Sequence, residues 1–184
     1  MLKLFISGKQ RAGKNVSATY INNKLSNTYP NLVIKEIAFA DPINKVERYA
    51  QEVLDFPIEK DRAFRIMFGA WARDHNPKIF VEHAIKQANN YDAVIITDGR
   101  YVNEFDILKA HGFHTIRIVA SEGVRLDRGA DREFLNSTSE IDLDGYEADG
   151  RFDDTIINEG SFKDLYHQLD QVIGRLELKF LGGQ

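Results

Sequence analysis

The stretch Gly8-Lys9-Gln10-Arg11-Ala12-Gly13-Lys14-Asn15 constrains this chain more than any other. It follows the apolar run Leu4-Phe5-Ile6 and leads into a helix-like segment from Val16 to Leu25. This is the strand, glycine loop, helix order of the phosphate-binding pattern G-x-x-x-x-G-K-[ST], with Asn15 in the place of the final hydroxyl residue. Gly8 and Gly13 permit backbone angles that let successive N–H groups turn inward on an anion. The helix starting near Lys14 adds the positive end of its dipole, and Lys14 supplies a point charge. A plain strand-to-helix turn with a surface lysine would use some of the same residues, but not both glycines, the lysine and the preceding strand together. Gly8, Lys9, Arg11, Ala12, Gly13, Lys14 and Asn15 are therefore candidate nucleotide-phosphate ligands. Asn15 is a poorer magnesium ligand than the usual hydroxyl.

A chain of 184 residues can bury one core well and is short for two, so a single domain over 1–184 is expected. With 43% hydrophobic and 28% charged residues the composition is that of a globular protein. A formal charge of −4 argues against a surface that coats nucleic acid. The absence of cysteine excludes disulfides and thiolate metal sites and fits a cytoplasmic location. No apolar run reaches transmembrane length, and a strand pattern starting at Leu2 does not read as a secretory signal.

Short apolar runs alternate with longer amphipathic ones, as in an α/β protein with parallel strands. Strands are expected at Leu2–Ser7, Leu32–Phe39, Ala93–Thr97, Thr115–Val119 and Thr155–Ile157. Helices are expected at Lys14–Ser26, Pro42–Leu54, Arg62–Asp74, Lys78–Asn89, Asn103–Ala110 and Ser161–Leu176, with Asp41 and Ser161 as caps. Phe64, Phe68 and Trp71 are at helical spacing and read as core. The stretch from Arg125 to Arg151 has many charges and few apolar anchors, which predicts a mobile flap. The Leu-Gly-Gly-Gln tail at 181–184 is expected to fray.

Several side chains then fall on one expected rim. Asp98 ends the apolar run Val94–Thr97, where it could hold magnesium directly or through water; it could also be only a turn residue before Gly99. Arg100 is placed to grip a substrate phosphate, and Glu104 could orient it; a surface ion pair would have the same spacing. Arg125, Arg128 and Arg132 could neutralise a phosphoryl group in transfer, and the spacing leaves open which of them does. The five histidines show no zinc-ligand spacing.

Taken together, these segments resemble a phage-type deoxynucleoside monophosphate kinase. Phe39-Ala40-Asp41-Pro42-Ile43-Asn44-Lys45 is similar to the Phe-Ala-x-Pro-Leu-Lys segment that opens the family's acceptor-site insertion. Arg65 to Gly69, Arg73 and Pro77 to Val81 resemble its next helices, with Phe80 where a tryptophan is usual. Thr97-Asp98-Gly99-Arg100-Tyr101-Val102-Asn103-Glu104 is close to its Asp-x-Arg-(aromatic)-x-Asn-Glu. Asn136 to Glu140 resembles its Ser-Glu element, and Asp154 to Gly160 its last strand and turn.

The resemblance implies a three-layer P-loop NTPase fold with a parallel sheet of about five strands, a helical acceptor-site insertion at about 40–90 and a flexible lid at about 124–151. It implies ATP and Mg2+ as cofactors and transfer of the ATP γ-phosphoryl group to a deoxynucleoside monophosphate. Lys14, Arg100 and Arg128 would be catalytic; Asp41, Lys45, Arg65, Arg73, Asp98, Arg100 and Glu104 would serve the acceptor; Arg125, Arg128, Arg132 and Glu140 would belong to the lid; Asp98 would be the metal residue. Nucleotide substrates are the implied partners, without a membrane or a stable nucleic-acid complex, and with homodimer formation left open. The location would be the cytoplasm, that of the host if the gene is a phage's. Rival readings are a kinase of the same fold for another small acceptor such as dephospho-coenzyme A, a non-catalytic nucleotide-binding regulator, and a protein acting on nucleic acid.

Overall fold

In the computed structural model, which describes residues 1–180, five strands form one parallel sheet in the order β2-β3-β1-β4-β5. They are β1 (Leu2–Ser7), β2 (Ile34–Ile37), β3 (Ala93–Ile96), β4 (His114–Val119) and β5 (Asp154–Ile157). The expected frayed tail at 181–184 lies outside the described residues.

The period-two alternation of the strands separates two cores. Leu2, Leu4 and Ile6 of β1, with Ala93, Ile95, Ile116, Ile118 and Ile156, join one cluster; Phe5, Ile37, Val94 and Ile96 join the other. The first is covered by α1 (Lys14–Thr28) and α9 (Phe162–Phe180). Helix α1 turns Ala18, Ile21 and Leu25 inward, and α9 answers with Leu165, Leu169, Val172, Ile173 and Leu176. The second face carries α2 (Asp41–Val53), α3 (Arg62–His75), α4 (Ile79–Ala88) and α5 (Val102–Ala110), whose Ile43, Ala72, Phe80, Val81, Ala84, Phe105 and Leu108 complete that core. Each fully buried aliphatic or phenyl side chain contributes about 1.5–3 kcal/mol, so both faces need their helices. The result is three layers.

Boundaries differ from the sequence reading at the ends, where hydrogen bonding rather than hydrophobicity decides. The pairing of β2 is confined to Ile34–Ile37; beyond it the N–H of Ala38 goes to the Asp41 carboxylate and those of Phe39 and Ala40 to Asp98. Asp41 does not cap α2: it lies inside the first turn, and its carboxylate accepts the N–H of Ala38 at 3.0 Å. Ser161 does cap α9, with its hydroxyl 3.3 Å from Asp164 N and the Asp164 carboxylate accepting Ser161 N–H at 3.0 Å.

Two expectations are met only in part. On α3 only Gly69 and Ala72 are buried, while Phe64, Phe68 and Trp71 stack along the helix side, with centroids 5.8 and 5.4 Å apart. Trp71 is 55% exposed and Phe64 only half-buried, while Phe68 packs against the edge of the second core. The charged stretch after β4 is also not without anchors. It folds into α6 (Glu122–Asp127), a 3₁₀ turn at Arg132–Phe134, α7 (Thr138–Ile141) and α8 (Asp144–Ala148). Leu135 and Leu143 are buried, Leu143 within the second core. Composition understated this because ion pairs and hydrogen bonds share the anchoring with a few apolar residues.

Candidate functional site

The order β2-β3-β1-β4-β5 puts β1 at the centre, and the loops after all five strands open on one rim, where α/β sheets bind ligands. The loop of residues 8–13 leaves the end of β1 there. Gly13 is the N-cap of α1 with φ +111°, and no side chain caps the helix, so its first N–H groups remain available to an anion. A methyl group at Gly13 would lie 2.4 Å from Asn158 Nδ2, and one at Gly8 2.5 Å from the Ile118 carbonyl oxygen. Asn158 in turn donates to the Ala12 carbonyl at 2.8 Å and fixes the far side of the loop.

Lys14 bends back across the loop and donates to the carbonyls of Gly8 at 2.7 Å and Lys9 at 2.9 Å. Burial pushes its ammonium pKa down to about 8, helped by the positive charges of Arg100, Arg117 and Arg125 and partly opposed by Glu140. A cation held among cations is a site that asks for an anion. The same shortage of acceptors recurs nearby: Arg125 Nε and Nη1 and Arg128 Nη1 are buried with no partner among the described residues.

Gln10, Arg11, Gly13, Lys14, Asn15, Val16, Thr97, Asp98, Arg100, Arg128, Asn158 and Phe162 line one cavity of about 670 Å³. It thus brings together Arg11, Gly13, Lys14, Asn15, Asp98, Arg100 and Arg128 from the sequence-derived candidates. Gly8 and Ala12 shape the loop beneath it, and the side chain of Lys9 turns away to Asp144 at 2.7 Å. Asp98 accepts the N–H groups of Phe39 at 2.9 Å and Ala40 at 3.0 Å, so it ties the end of β2 to that of β3. Burial nevertheless raises its pKa, with the Asp41 charge adding to the effect.

Glu104 does not hold the Arg100 guanidinium. Its Oε2 accepts the backbone N–H groups of Arg100 at 2.7 Å and Tyr101 at 3.1 Å, which fixes the turn from which Arg100 projects. The guanidinium itself pairs with Glu140. Arg73 lies over the rings of Phe80 at 4.9 Å and Tyr101 at 5.7 Å, a stacked cation next to that turn. Asp41, Lys45, Arg65, Arg73 and Glu104 are not among the cavity's lining residues. Arg65 is engaged with Glu47 at 2.6 Å, and Lys45 is exposed. Among the three arginines after β4, Arg125 is buried, Arg128 reaches the cavity and Arg132 is exposed.

Sequence reasoning missed Arg117, Gln10, Asn158 as a loop anchor, and Phe162. Arg117 had a usable signal, a lone cation inside the apolar strand Thr115–Val119. Only 3% of its side chain is exposed, and it bonds Ser7 Oγ at 3.0 Å, Glu147 at 2.7 Å and Asp144 at 3.2 Å. Asp144 also pairs with Lys9, so Arg117 couples the phosphate loop to α8. Replacing Arg117 by methionine is expected to cost about 2 kcal/mol of stability, read as a lowered urea midpoint, because Ser7 and both carboxylates lose their buried partner.

The sequence matches no known family profile and no curated protein. Solved structures do match it in fold. The shikimate kinase of Aquifex aeolicus aligns over 99% of this chain and 100% of its own, at 16% identity and a TM-score of 0.52. The shikimate kinase of Acinetobacter baumannii in complex with shikimate aligns over 97% and 96%, at 13% identity and 0.58. TT1252 from Thermus thermophilus aligns over 95% and 97%, at 16% identity and 0.59. The fold is the three-layer P-loop NTPase fold, with helices on both sides of a five-stranded parallel sheet.

Proposed function

We propose that this protein is an ATP-dependent kinase whose acceptor is a small phosphorylated molecule, a deoxynucleoside monophosphate. The observation that carries this reading is the cationic cradle: Lys14, its pKa lowered to about 8, shares the cavity with Arg100 and Arg128 and lies in the field of the buried Arg125. The likeness in fold to shikimate kinases supports phosphoryl transfer to a small molecule. The acceptor class rests on the segment from Asp98 to Glu104, where the fixed turn presents Arg100 and stacks Tyr101 beneath Arg73. Two arginines at this end suit a doubly charged phosphate better than a neutral alcohol. Phe162, 64% exposed in the cavity with Arg128, offers a ring face to a base.

In this mechanism the loop N–H groups and Lys14 hold the β- and γ-phosphates of ATP. An oxygen of the acceptor phosphate attacks the γ-phosphorus while the bond to the β,γ-bridging oxygen breaks, and ADP leaves. The acceptor oxygen is already a nucleophile, so position and charge supply the catalysis. Arg100 and Arg128, which line the cavity, neutralise the moving group, and the buried Arg125 adds its positive field at Lys14.

Asp98 and Asn15, which line the cavity, would hold a magnesium ion that arrives with the nucleotide. Among the described residues no group of three or more histidines and carboxylates could hold a metal. Asp98 already accepts two backbone N–H groups, which leaves it able to receive metal-bound water, and Asn15 can do the same. The ion, when bound, neutralises phosphate charge. No helix among the described residues is long and apolar enough to cross a membrane.

The test is ATP-to-ADP conversion with magnesium over a panel of deoxy- and ribonucleoside monophosphates, dephospho-coenzyme A and shikimate. Formation of one deoxynucleoside diphosphate is the expected result. Phosphorylation of shikimate or dephospho-coenzyme A instead would keep the chemistry and replace the acceptor; ATP binding with every acceptor unchanged would make the protein a nucleotide-binding regulator. Arg128→Ala is expected to lower kcat about 10²-fold, and Arg132→Ala, at an exposed position, to leave it unchanged.

A further inference from the structure

The phosphate loop already holds an anion, and it comes from the chain itself. Glu140 Oε2 accepts the N–H of Gln10 at 2.5 Å, while Oε1 pairs with the Arg100 guanidinium. Only 5% of the Glu140 side chain is exposed, a rare setting for a carboxylate unless both oxygens are engaged by strong donors. Its charge also reaches Lys14, where it opposes the neighbouring arginines. A loop N–H, a guanidinium and a lysine field are the groups a nucleotide phosphate would take.

The placement is set from both sides of Glu140. Asp131 donates its N–H to the Gln10 side chain at 3.1 Å, Asp142 accepts Val102 N–H at 2.8 Å, and Asp144 pairs with Lys9 at 2.7 Å. Residues 131–144 are thereby fastened to the loop and to α5 at several points, and Glu140 is the one that enters the loop's own donor set. The Ser139 carbonyl faces the same guanidinium at 3.5 Å.

We propose that Glu140 is an internal competitor for the triphosphate, occupying the Gln10 N–H of the phosphate loop and the Arg100 guanidinium until a polyphosphate displaces it. Gln10 offers a single N–H, already taken by Glu140, and a phosphate brought beside Glu140 at the Arg100 guanidinium would meet like-charge repulsion. Nucleotide binding therefore includes the cost of expelling Glu140, and the expulsion releases Arg100 to the acceptor phosphate. In this way the residue lowers nucleotide affinity and delays assembly of the acceptor site until the donor nucleotide is in place. The inference rests on the reading above that the loop binds a nucleotide polyphosphate.

Calorimetric titration of the full chain with tripolyphosphate and with ATP tests it, comparing the wild type with Glu140→Gln and Glu140→Asp. Glutamine removes the charge and keeps the shape; aspartate keeps the charge and shortens the reach, and serves if the glutamine variant does not fold. Both ligands are expected to bind the variants more tightly, about tenfold for Glu140→Gln, the weight of one charge-assisted hydrogen bond. If the wild type binds and the variants bind equally or more weakly, while the acceptor KM rises, Glu140 only positions Arg100 and the competitor idea is overturned. If neither ligand binds the wild type or the variants, the nucleotide reading itself falls, which is a separate failure.

Discussion

Exchanging Lys14 for methionine is expected to lower phosphoryl transfer by at least about 10²-fold and, at the same time, to make the nucleotide-free protein more stable. The two effects have one cause. Lys14 is half-buried among Arg100, Arg117 and Arg125, and its pKa falls from 10.5 to about 8. At face value such a shift is about 3 kcal/mol, and solvent at the cavity mouth reduces the expected gain to about 2 kcal/mol. Below pH 8 the lysine is charged in both folded and unfolded chains, and the full penalty applies. Between about pH 8 and 10.5 the unfolded chain binds more protons than the folded one, so stability gains a rising component with pH. Subtracting the urea-derived stability of Lys14→Met from that of the wild type across this window isolates the component. A flat difference would remove the charge argument. Phosphate reverses the shift, so ATP binding near pH 8.5 should take up protons, measurable by calorimetry in buffers of different ionisation enthalpy.

Gly8→Ala is the second large effect, and it acts through the fold. The new methyl carbon would lie 2.5 Å from the Ile118 carbonyl oxygen and 3.4 Å from the Ala12 side chain. The carbonyl belongs to β4, held between β1 and β5, so it cannot move aside without disturbing two strand pairings. A loss of about 3 kcal/mol is expected, seen as a lower denaturant midpoint with an unchanged slope. Nucleotide affinity should fall with it, because the chain leaves β1 at this residue and the loop must shift away from Lys14. Wild-type stability in Gly8→Ala would show that the strand can yield, and would weaken the view of the loop as a rigid cradle.

The contrast between these two variants separates roles that a single activity assay would merge. Lys14→Met removes a ligand from a framework that remains, whereas Gly8→Ala displaces the framework. Arg117→Met lies between them, since Arg117 touches Ser7 at the end of β1, is linked to the loop through Asp144 and Lys9, and acts on Lys14 through its charge.

The sequence by itself determined the layers and the place of the loop. Strand and helix periodicities are local, and the alternation of Leu2, Leu4 and Ile6 against Phe5 already separates the two faces that the helices cover. Gly8, Gly13 and Lys14 are close in sequence, so their geometry follows from a few backbone angles. Tertiary structure decided which distant charges meet. The partner of Arg100 is Glu140, forty residues away, not the neighbouring Glu104, and the loop's far anchor is Asn158. No periodicity encodes such contacts, because a long side chain can reach several partners and the fold selects among them. The stretch after β4 reads as loose for the same reason: beside Leu135 and Leu143, it is held by ion pairs and hydrogen bonds to distant residues, which leave no hydrophobic pattern to read.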